Sequence, residues 1–174
     1  ERLGLSSEDK QRSQQYAEQR QRKDLQGSMA SLEDFYRSLD MQLYVFSVTP
    51  ADVARVAQLT QKTNQFNLTT RRYSEADISR FLDDPSFDVF AARVTDRFGD
   101  SGIIAVAIVE TKDTKAWLHT FLMSCRVIGK TIETGILSII ADRLEAKGLT
   151  TLVGHFIASA KNSPASSFLA DHDF

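Results

Sequence analysis

The chain has 174 residues, of which 42% are hydrophobic and 25% charged, and its formal net charge is -2. This length predicts one domain with at most an appendage. The near-zero charge gives no global attraction to nucleic acid or to a membrane surface. A single cysteine excludes an internal disulfide framework and favours a reducing compartment. No apolar run approaches the roughly 20 residues that span a bilayer. We therefore expect a cytoplasmic protein.

Residues 1–40 differ in composition from the rest of the chain. The sequence starts at Glu1 with no initiator methionine, so we expect either a fragment of a longer chain or a processed chain. The stretch from Ser7 to Gln26 is strongly polar, and a polar helix cannot build its own core. We predict a solvated connecting helix, with a helix that docks on a neighbouring domain as the alternative. A short amphipathic helix follows, with an apolar stripe at Leu32, Phe35, Tyr36 and Leu39.

Residues 41–174 read as one mixed α+β domain. The pattern predicts a strand over 41–48, a helix from Thr49 and a helix from Ser74 to Leu82. Three strands with short connectors then favour an antiparallel meander: 88–94, 103–109 and 116–123. A long helix, a strand and a final helix complete the chain: 131–147, 150–157 and 163–170. A strand after a crossover helix makes the sheet mixed, mostly antiparallel and flanked by helices.

The segment 63–73 has neither a helical nor a strand period. Apolar residues at Phe66, Leu68 and Tyr73 predict that it is held against the domain. A polar loop that is held in this way is a candidate substrate or partner loop, and a self-capped structural loop is the alternative. Its candidate contact residues are Asn64, Asn67, Thr69, Thr70, Arg71 and Arg72.

A strand–turn–helix element over 120–133 carries the sharpest chemical prediction. A turn that feeds a helix N-terminus presents unpaired backbone N–H groups and a positive dipole end, which suit a phosphate. The phosphate site would comprise Arg126, Gly129, Lys130 and Thr131, and a plain structural turn is the alternative.

Cys125 lies at the mouth of this turn. A thiolate beside a helix N-terminus and Arg126 can hold an acyl group as a thioester. His155, on a neighbouring predicted strand, is the candidate base. His119 is six residues upstream of Cys125, roughly 20 Å at about 3.3 Å per residue, and is excluded as its partner. The alternative is a buried, inert cysteine. No grouping of His, Cys, Asp and Glu has metal-ligand spacing.

The order of predicted elements resembles the GNAT superfamily of N-acetyltransferases. Arg126-Val-Ile-Gly129-Lys-Thr131 resembles its Gln/Arg-x-x-Gly-x-Gly/Ala motif for acyl-CoA pyrophosphate, although Thr131 stands where Gly or Ala is usual. Asn162 and Phe168 resemble a second motif, in which Leu169 stands where a tyrosine acid is often found. The resemblance implies a site for CoA or phosphopantetheine at Arg126, Val127, Ile128, Gly129, Lys130, Thr131 and Asn162.

Four stretches resemble the C-terminal domain of FkbH-like proteins more closely: 31–39, 61–73, 96–100 and 120–129. In that family a haloacid-dehalogenase-like phosphatase domain precedes a GNAT-like domain. The implied activity is transfer of a glyceryl group to the phosphopantetheine thiol of an acyl carrier protein, for polyketide extender units. The loop 63–73 would then contact the acyl group or the carrier, and residues 1–40 would connect the two domains. A non-catalytic module that binds the carrier or CoA is the alternative.

Overall fold

The computed structural model describes residues 7–127 and 131–174, which form two compact units. The first unit contains the described residues up to Gln42 together with Val94–Gly102. The second contains Leu43–Arg93 and Ile103–Phe174. The sequence-based boundary at residue 40 lies close to the first division, and the segment 94–102 groups with the N-terminal residues. A role for residues 1–40 as an interdomain connection stays a prediction.

The first unit contains two helices, α1 (Ser7–Ser28) and α2 (Leu32–Ser38). Ser31 caps α2 by accepting a hydrogen bond from the backbone N–H of Asp34 at 3.1 Å. Phe35 of α2 and the following Leu39 are buried, whereas Leu32 is half exposed, so the predicted apolar stripe is only partly used.

A buried ion pair stabilises this unit. The guanidinium of Arg22, on α1, donates to both carboxylate oxygens of Asp96, at 2.6 and 2.8 Å. The two side chains are only 9% and 4% exposed. Asp96 also accepts hydrogen bonds from the backbone N–H groups of Phe98 and Gly99. Most α1 side chains from residue 13 onward are exposed, whereas Glu18 and Arg22 are buried.

The second unit contains three helices among its described residues. They are α3 (Val53–Lys62), α4 (Glu75–Asp83) and α5 (Ile132–Ala146). The strands, most of whose residues belong to the second unit, are β1 (Gln42–Ser47), β2 (Phe66–Asn67), β3 (Phe87–Asp96), β4 (Gly99–Lys112), β5 (Lys115–Met123) and β6 (Thr151–Gly154).

The strands form one mixed sheet in the order β1-β3-β4-β5-β2, and β6 also pairs with β5. β5 is antiparallel to β4 and to β2, and it is parallel to β6. The predicted α+β class with a mixed, mostly antiparallel sheet is confirmed. The two-residue strand β2 was not predicted, and the strand expected over 150–157 ends at Gly154.

Helices cover both faces of this sheet. Residues of α3 and α4, such as Val56 and Ile78, pack with Val89, Ile108 and Leu122 of the sheet. On the opposite face the guanidinium of Arg143, on α5, lies 5.8 Å from the centre of the Phe90 ring and donates to the carbonyl of Val45. The final helix expected over 163–170 is instead two 3-10 turns, Ser163–Ala165 and Ala170–His172. The side chain of Asn162 makes no cap hydrogen bond to this segment, so the first turn lacks the cap that favours an α-helix.

We expect Asp96→Ala to weaken α1 because it leaves the Arg22 guanidinium buried without its partner. Removing one member of a buried ion pair typically costs about 3–5 kcal/mol. Hydrogen–deuterium exchange of the α1 amides measures this loss. Glu33→Ala is the control, because it breaks the exposed Glu33–Arg37 pair, which is expected to contribute less than about 1 kcal/mol. Unchanged exchange in Asp96→Ala would contradict the assignment.

The same contact predicts a pH dependence. Burial alone raises the pKa of Asp96, but hydrogen bonds from Arg22 and from the Phe98 amide outweigh it and hold that pKa below its ordinary value. A lowered folded-state pKa stabilises the fold above the unfolded pKa, and this stabilisation is lost as the pH falls through the folded pKa. Protection of α1 should therefore fall on acidification in the natural sequence, and it should fall less in Asp96→Asn.

Candidate functional site

The strands β5 and β6 diverge at the edge of the sheet. They pair in parallel from Lys115 opposite Thr151 to Leu118 opposite Gly154. Beyond this point β5 continues to Met123, while β6 ends. Two diverging parallel strands leave backbone groups that an extended ligand can pair with as an added strand. If the thioester arm that the sequence resemblance implies binds this chain, the divergence offers it backbone groups to pair with.

Residues 66–68 of the same chain occupy the gap between the diverging strands. β2 pairs antiparallel with β5, with Phe66 opposite Met123 and Asn67 opposite Leu122. The N–H of Leu68 then donates to the carbonyl of Phe121 at 3.0 Å, and the carbonyl of Leu68 accepts from the N–H of Ile157 at 2.8 Å. Residues 66–68 thus bridge the two sides of the divergence.

Two fully buried asparagines hold this filling segment. The side-chain amide of Asn162 donates to the carbonyls of Asn67 and Ile157, both at 2.9 Å, and its oxygen accepts from the N–H of Ser159 at 2.7 Å. The side-chain amide of Asn67 donates to the carbonyl of Thr63, and its oxygen accepts from the N–H of Thr70. Neither side chain is exposed to solvent, so both amides are committed within the chain.

A coenzyme arm does not fit between β5 and β6 in this arrangement. The backbone groups of Phe121 and Ile157 that such an arm would pair with are already bonded to Leu68. A contact between Asn162 and pantetheine stays a prediction, and it would require that the present hydrogen bonds of Asn162 break.

Most residues of the predicted contact loop, 63–73, hold the loop itself in place, and Arg71 is the exception. Arg72 donates to the carbonyls of Thr60 and Gln61 and to the Asn64 side chain, so it satisfies the C-terminal end of α3. The hydroxyl of Thr69 donates to the carbonyl of His119 at 3.1 Å. Thr70, with a φ of 53°, turns the chain. Apart from Arg71, these residues support the alternative of a self-capped loop.

Arg71 instead lies beside His119. One guanidinium nitrogen, Nη1, is 3.4 Å from the Nδ1 atom of His119. Among the described residues no carboxylate forms an ion pair with Arg71. The hydroxyl of Tyr73 is close by: burial raises the pKa of Tyr73, and Arg71 partly offsets that effect. Arg71 therefore presents a positive charge that is not neutralised by an acid.

The predicted phosphate turn is described only at its two ends. Arg126 lies in a 3-10 turn, Cys125–Val127, where its Nε donates to the hydroxyl of Ser124 at 3.3 Å. Val127 is buried. Thr131 is the N-cap of α5 with a left-handed φ of 58°, which strains a β-branched residue. Ile128, Gly129 and Lys130 lie outside the described residues, so the phosphate site stays a prediction.

Cys125 and His155 are not brought together by the strand pairing. Cys125 is exposed, so the alternative of a buried cysteine is excluded. His155 follows Gly154, whose partner on β5 is Leu118, and its ring stacks on Trp117 at 6.0 Å. β5 continues for five residues beyond Leu118 to Met123, on the order of 15 Å, and Cys125 follows in a 3-10 turn. His155 is therefore not placed to act as the base for Cys125.

A shallow pocket of about 150 Å³ lies where β5 and β6 diverge. Its chemistry comes mainly from residues that the sequence analysis did not select. The lining side chains combine basic, acidic and aromatic groups: Thr69, Arg71, Glu110, Lys112, Trp117, Leu118, His119 and His155.

A β-bulge aims His119 into this pocket. On β4 and β5, Ile108 is opposite Thr120 and Val109 is opposite Leu118, so His119 is the extra residue between two pairs. A bulge rotates the side chain of its extra residue out of the regular alternation. His119 consequently meets Glu110, with its Nε2 at 2.5 Å from a carboxylate oxygen. A bulge leaves no mark in the hydrophobic pattern, so the sequence did not reveal this pair.

Glu110 also forms an ion pair with Lys112, with 3.0 Å between its Oε1 atom and the Nζ atom of the lysine. Burial acts to raise the pKa of Glu110, but hydrogen bonds from Lys112 and His119 outweigh it and hold the pKa of that carboxyl below its ordinary value. Glu110 is thus a carboxylate at neutral pH, and it can stabilise a positive charge on His119.

Comparison of this geometry with solved structures identifies the fold. The ribosomal-protein-S18-alanine N-acetyltransferase from Escherichia coli matches with a TM-score of 0.57 and 17% identity, over 76% of this chain and 75% of that chain. An aminoglycoside 6'-N-acetyltransferase from Acinetobacter baumannii matches with a TM-score of 0.57 and 12% identity, over 76% and 90%. The chain has the GNAT acetyltransferase fold.

A third GNAT-fold structure was solved with a coenzyme derivative. AAC(6')-Iy, in complex with the bisubstrate analog CoA-S-monomethyl-acetylneamine, matches with a TM-score of 0.57 and 10% identity, over 76% of this chain and 90% of that chain. No protein-family model and no curated protein sequence matches the chain.

Two further findings concern metal ligands and membrane-spanning helices. In the described parts of the chain, 7–127 and 131–174, no three His, Cys, Asp or Glu side chains group as metal ligands. None of the helices described there is both long and apolar enough to cross a membrane.

We expect Asn162→Ala to destabilise the GNAT fold by about 2 kcal/mol, because it leaves the buried carbonyl of Asn67 without a partner. Chemical denaturation measures this change. The neighbouring Lys161 is exposed, so Lys161→Ala serves as the control and should shift stability by less than about 0.5 kcal/mol. Equal stability of the two variants would show that the asparagine pair does not hold the filling segment.

Proposed function

We propose that this chain is the acyl-transfer domain of an FkbH-like protein, and that it handles a glyceryl group on the phosphopantetheine thiol of an acyl carrier protein. The observation that carries the proposal is the GNAT acetyltransferase fold, which extends over about three quarters of the chain. That fold supports acyl transfer in general. The glyceryl group and the carrier protein come from the resemblance to FkbH-like sequences.

The residues of the resemblance lie at the candidate site. The long stretch 61–73 contributes the filling segment and Arg71, and the stretch that starts at Thr120 contributes the part of β5 that pairs with it. Phe66 packs edge-on against Phe121, with ring centres 6.0 Å apart. Two of the stretches that carry the resemblance therefore contact each other and border the pocket, which supports a shared functional role.

The size of the pocket supports an acyl group and not a whole coenzyme as its occupant. Pockets for drug-sized ligands are typically about 300–1,000 Å³, whereas this one is about 150 Å³. A carrier-bound phosphopantetheine needs only its thioester end in such a pocket, because the carrier protein supplies the remaining binding surface. CoA is the alternative bearer of the thioester.

The proposed partners are the acyl carrier protein and a haloacid-dehalogenase-like phosphatase domain of the same longer chain. The phosphatase domain would supply the phosphoryl chemistry, and this domain would handle the acyl group or position the carrier. Residues 1–40 would connect the two domains.

A second candidate function is a non-catalytic module that binds the carrier beside the phosphatase domain. The filled divergence favours it, because residues 66–68 occupy the backbone edge that an extended arm would otherwise use. Leu169 favours it as well, since it stands where the resembled motif often has a tyrosine acid.

We expect this domain to bind a phosphopantetheinyl carrier protein more tightly than the same carrier without its phosphopantetheine. Calorimetric titration measures both affinities. Titration with CoA then shows whether the phosphopantetheine arm is sufficient for binding or whether the carrier protein is also required. Undetectable binding of both carrier forms and of CoA would contradict the proposal and its second candidate.

A covalent role for Cys125 predicts that Cys125→Ala abolishes an acyl adduct on this domain and prevents carrier loading by the full-length protein. Intact-protein mass spectrometry detects both species. Full loading by the variant would remove Cys125 from the mechanism, while acyl transfer itself would stand.

A further inference from the structure

We propose that His119, oriented by Glu110, is the general base of an acyl-transfer site in the pocket beside the divergence of β5 and β6, and that Arg71 binds the carbonyl oxygen of a small acyl thioester there. This inference rests on the proposed acyl transfer and assigns its chemistry to three residues. It also commits the substrate to a thioester donor and a thiol acceptor.

The hydrogen bonds of His119 define its tautomer. A guanidinium carries only donors, so the Nδ1 atom that faces Arg71 at 3.4 Å has to be the acceptor. The ring proton then lies on Nε2, which donates to the Glu110 carboxylate at 2.5 Å. In the tautomer with the proton on Nε2, the lone pair of Nδ1 lies on the side of Arg71.

The Nδ1 lone pair remains available to a substrate. A separation of 3.4 Å is longer than the usual 2.7–3.2 Å of N–H···O bonds in proteins, so Arg71 competes weakly for it. The His119 side chain is 25% exposed, and its ring lies edge-on to Phe87 with ring centres 5.4 Å apart. Packing on one side and Glu110 on the other fix the ring while Nδ1 stays accessible from the pocket.

Glu110 completes an acid–base pair of the kind that activates nucleophiles. A carboxylate that accepts the N–H of a histidine holds the correct tautomer and stabilises the imidazolium that forms when the other nitrogen takes a proton. Glu110 therefore acts as a positioning residue. Lys112 sits on the outer side of the same carboxylate and leaves its bond to His119 intact.

Arg71 supplies the group that a developing oxyanion requires. It carries a full positive charge, no carboxylate within the described residues is paired with it, and it is beside the base. A donor placed next to the base can bind the thioester carbonyl oxygen and stabilise the negative charge that develops on it. The stacked rings of Trp117 and His155 form an adjoining wall of the pocket.

The proposed step is a balanced exchange between two thiols. The acceptor thiol gives its proton to Nδ1 of His119, and its sulfur attacks the thioester carbonyl carbon to form a new C–S bond. The C–S bond of the donor then breaks, and the departing thiolate takes the proton back from His119. One thioester and one thiol enter, one of each leaves, and no oxidant or metal is needed.

The first test reads the tautomer without any substrate. Two-bond nitrogen–proton NMR spectra of the labelled protein should show His119 with its proton on Nε2 and a bare Nδ1. In Glu110→Gln the amide can also donate, so the Nδ1–H form should become populated. A proton on Nδ1 in the natural sequence would contradict the inference. The matched control, Glu145→Gln, changes an exposed carboxylate on α5 and should leave the spectrum of His119 unchanged.

The second test measures exchange between S-acetylpantetheine and N-acetylcysteamine by mass spectrometry. General bases typically contribute about 10²–10⁴-fold, so His119→Ala should slow exchange by at least about 100-fold, and added imidazole should restore part of the rate. Arg71→Met should also slow it. His172→Gln is the control, because His172 bonds to Thr134 and to the Phe168 carbonyl and lies outside the pocket.

Each outcome bears on the inference separately from the proposed function. Equal exchange rates for the natural protein and His119→Ala, with circular dichroism showing that both proteins are folded, would overturn the inference and leave acyl transfer intact. No exchange by the natural protein, together with tight binding of the phosphopantetheinyl carrier, would also overturn it and favour the non-catalytic module. A loss of exchange in His119→Ala and Arg71→Met, with His172→Gln unaffected, would support it.

Discussion

The structure depends on how one strand edge is shared. The outer edge of β5 pairs with β6 in parallel at one end and with β2 in antiparallel fashion at the other. Because β6 and β2 run in opposite directions, they cannot form one continuous strand along β5. The part of the β5 edge between them would therefore carry unpaired backbone groups. The N–H of Leu68 and the hydroxyl of Thr69 donate to carbonyls of this edge, those of Phe121 and His119. The side chain of Asn162 donates to the carbonyl of the neighbouring Asn67.

This constraint places the chemistry at the mouth of the divergence. The interior of the divergence is closed by buried residues, which leaves the pocket around His119 as the accessible part. The bulge in the pairing of β4 with β5 turns His119 towards Glu110. The pairing of β5 with β6 ends at Leu118, directly before this bulged residue. The same loop that closes the divergence delivers Arg71 to the pocket.

Long elements with a clear period were predictable from the sequence, and contacts made by irregular backbone were not. The helix expected over 131–147 is α5 (Ile132–Ala146), and the strand expected over 116–123 is β5. β2 is only two residues long and has no period of its own, although the sequence indicated that Phe66 and Leu68 anchor the loop. The spacing along the sequence excludes His119 only as a partner of Cys125. Its partner Glu110 lies on another strand, and a bulge that the sequence does not show brings the two together.

We expect residues 66–68 to be a permanent part of the sheet, so that substrates reach only the pocket beside them. Hydrogen exchange of the Leu68 and Ile157 amides, with and without a saturating phosphopantetheinyl carrier protein, tests this arrangement. Both amides donate within the divergence, so we predict equal protection in the two states, with changes confined to the pocket around His119. Loss of protection at Leu68 and Ile157 on binding would contradict this arrangement, because it would show that the arm displaces the segment.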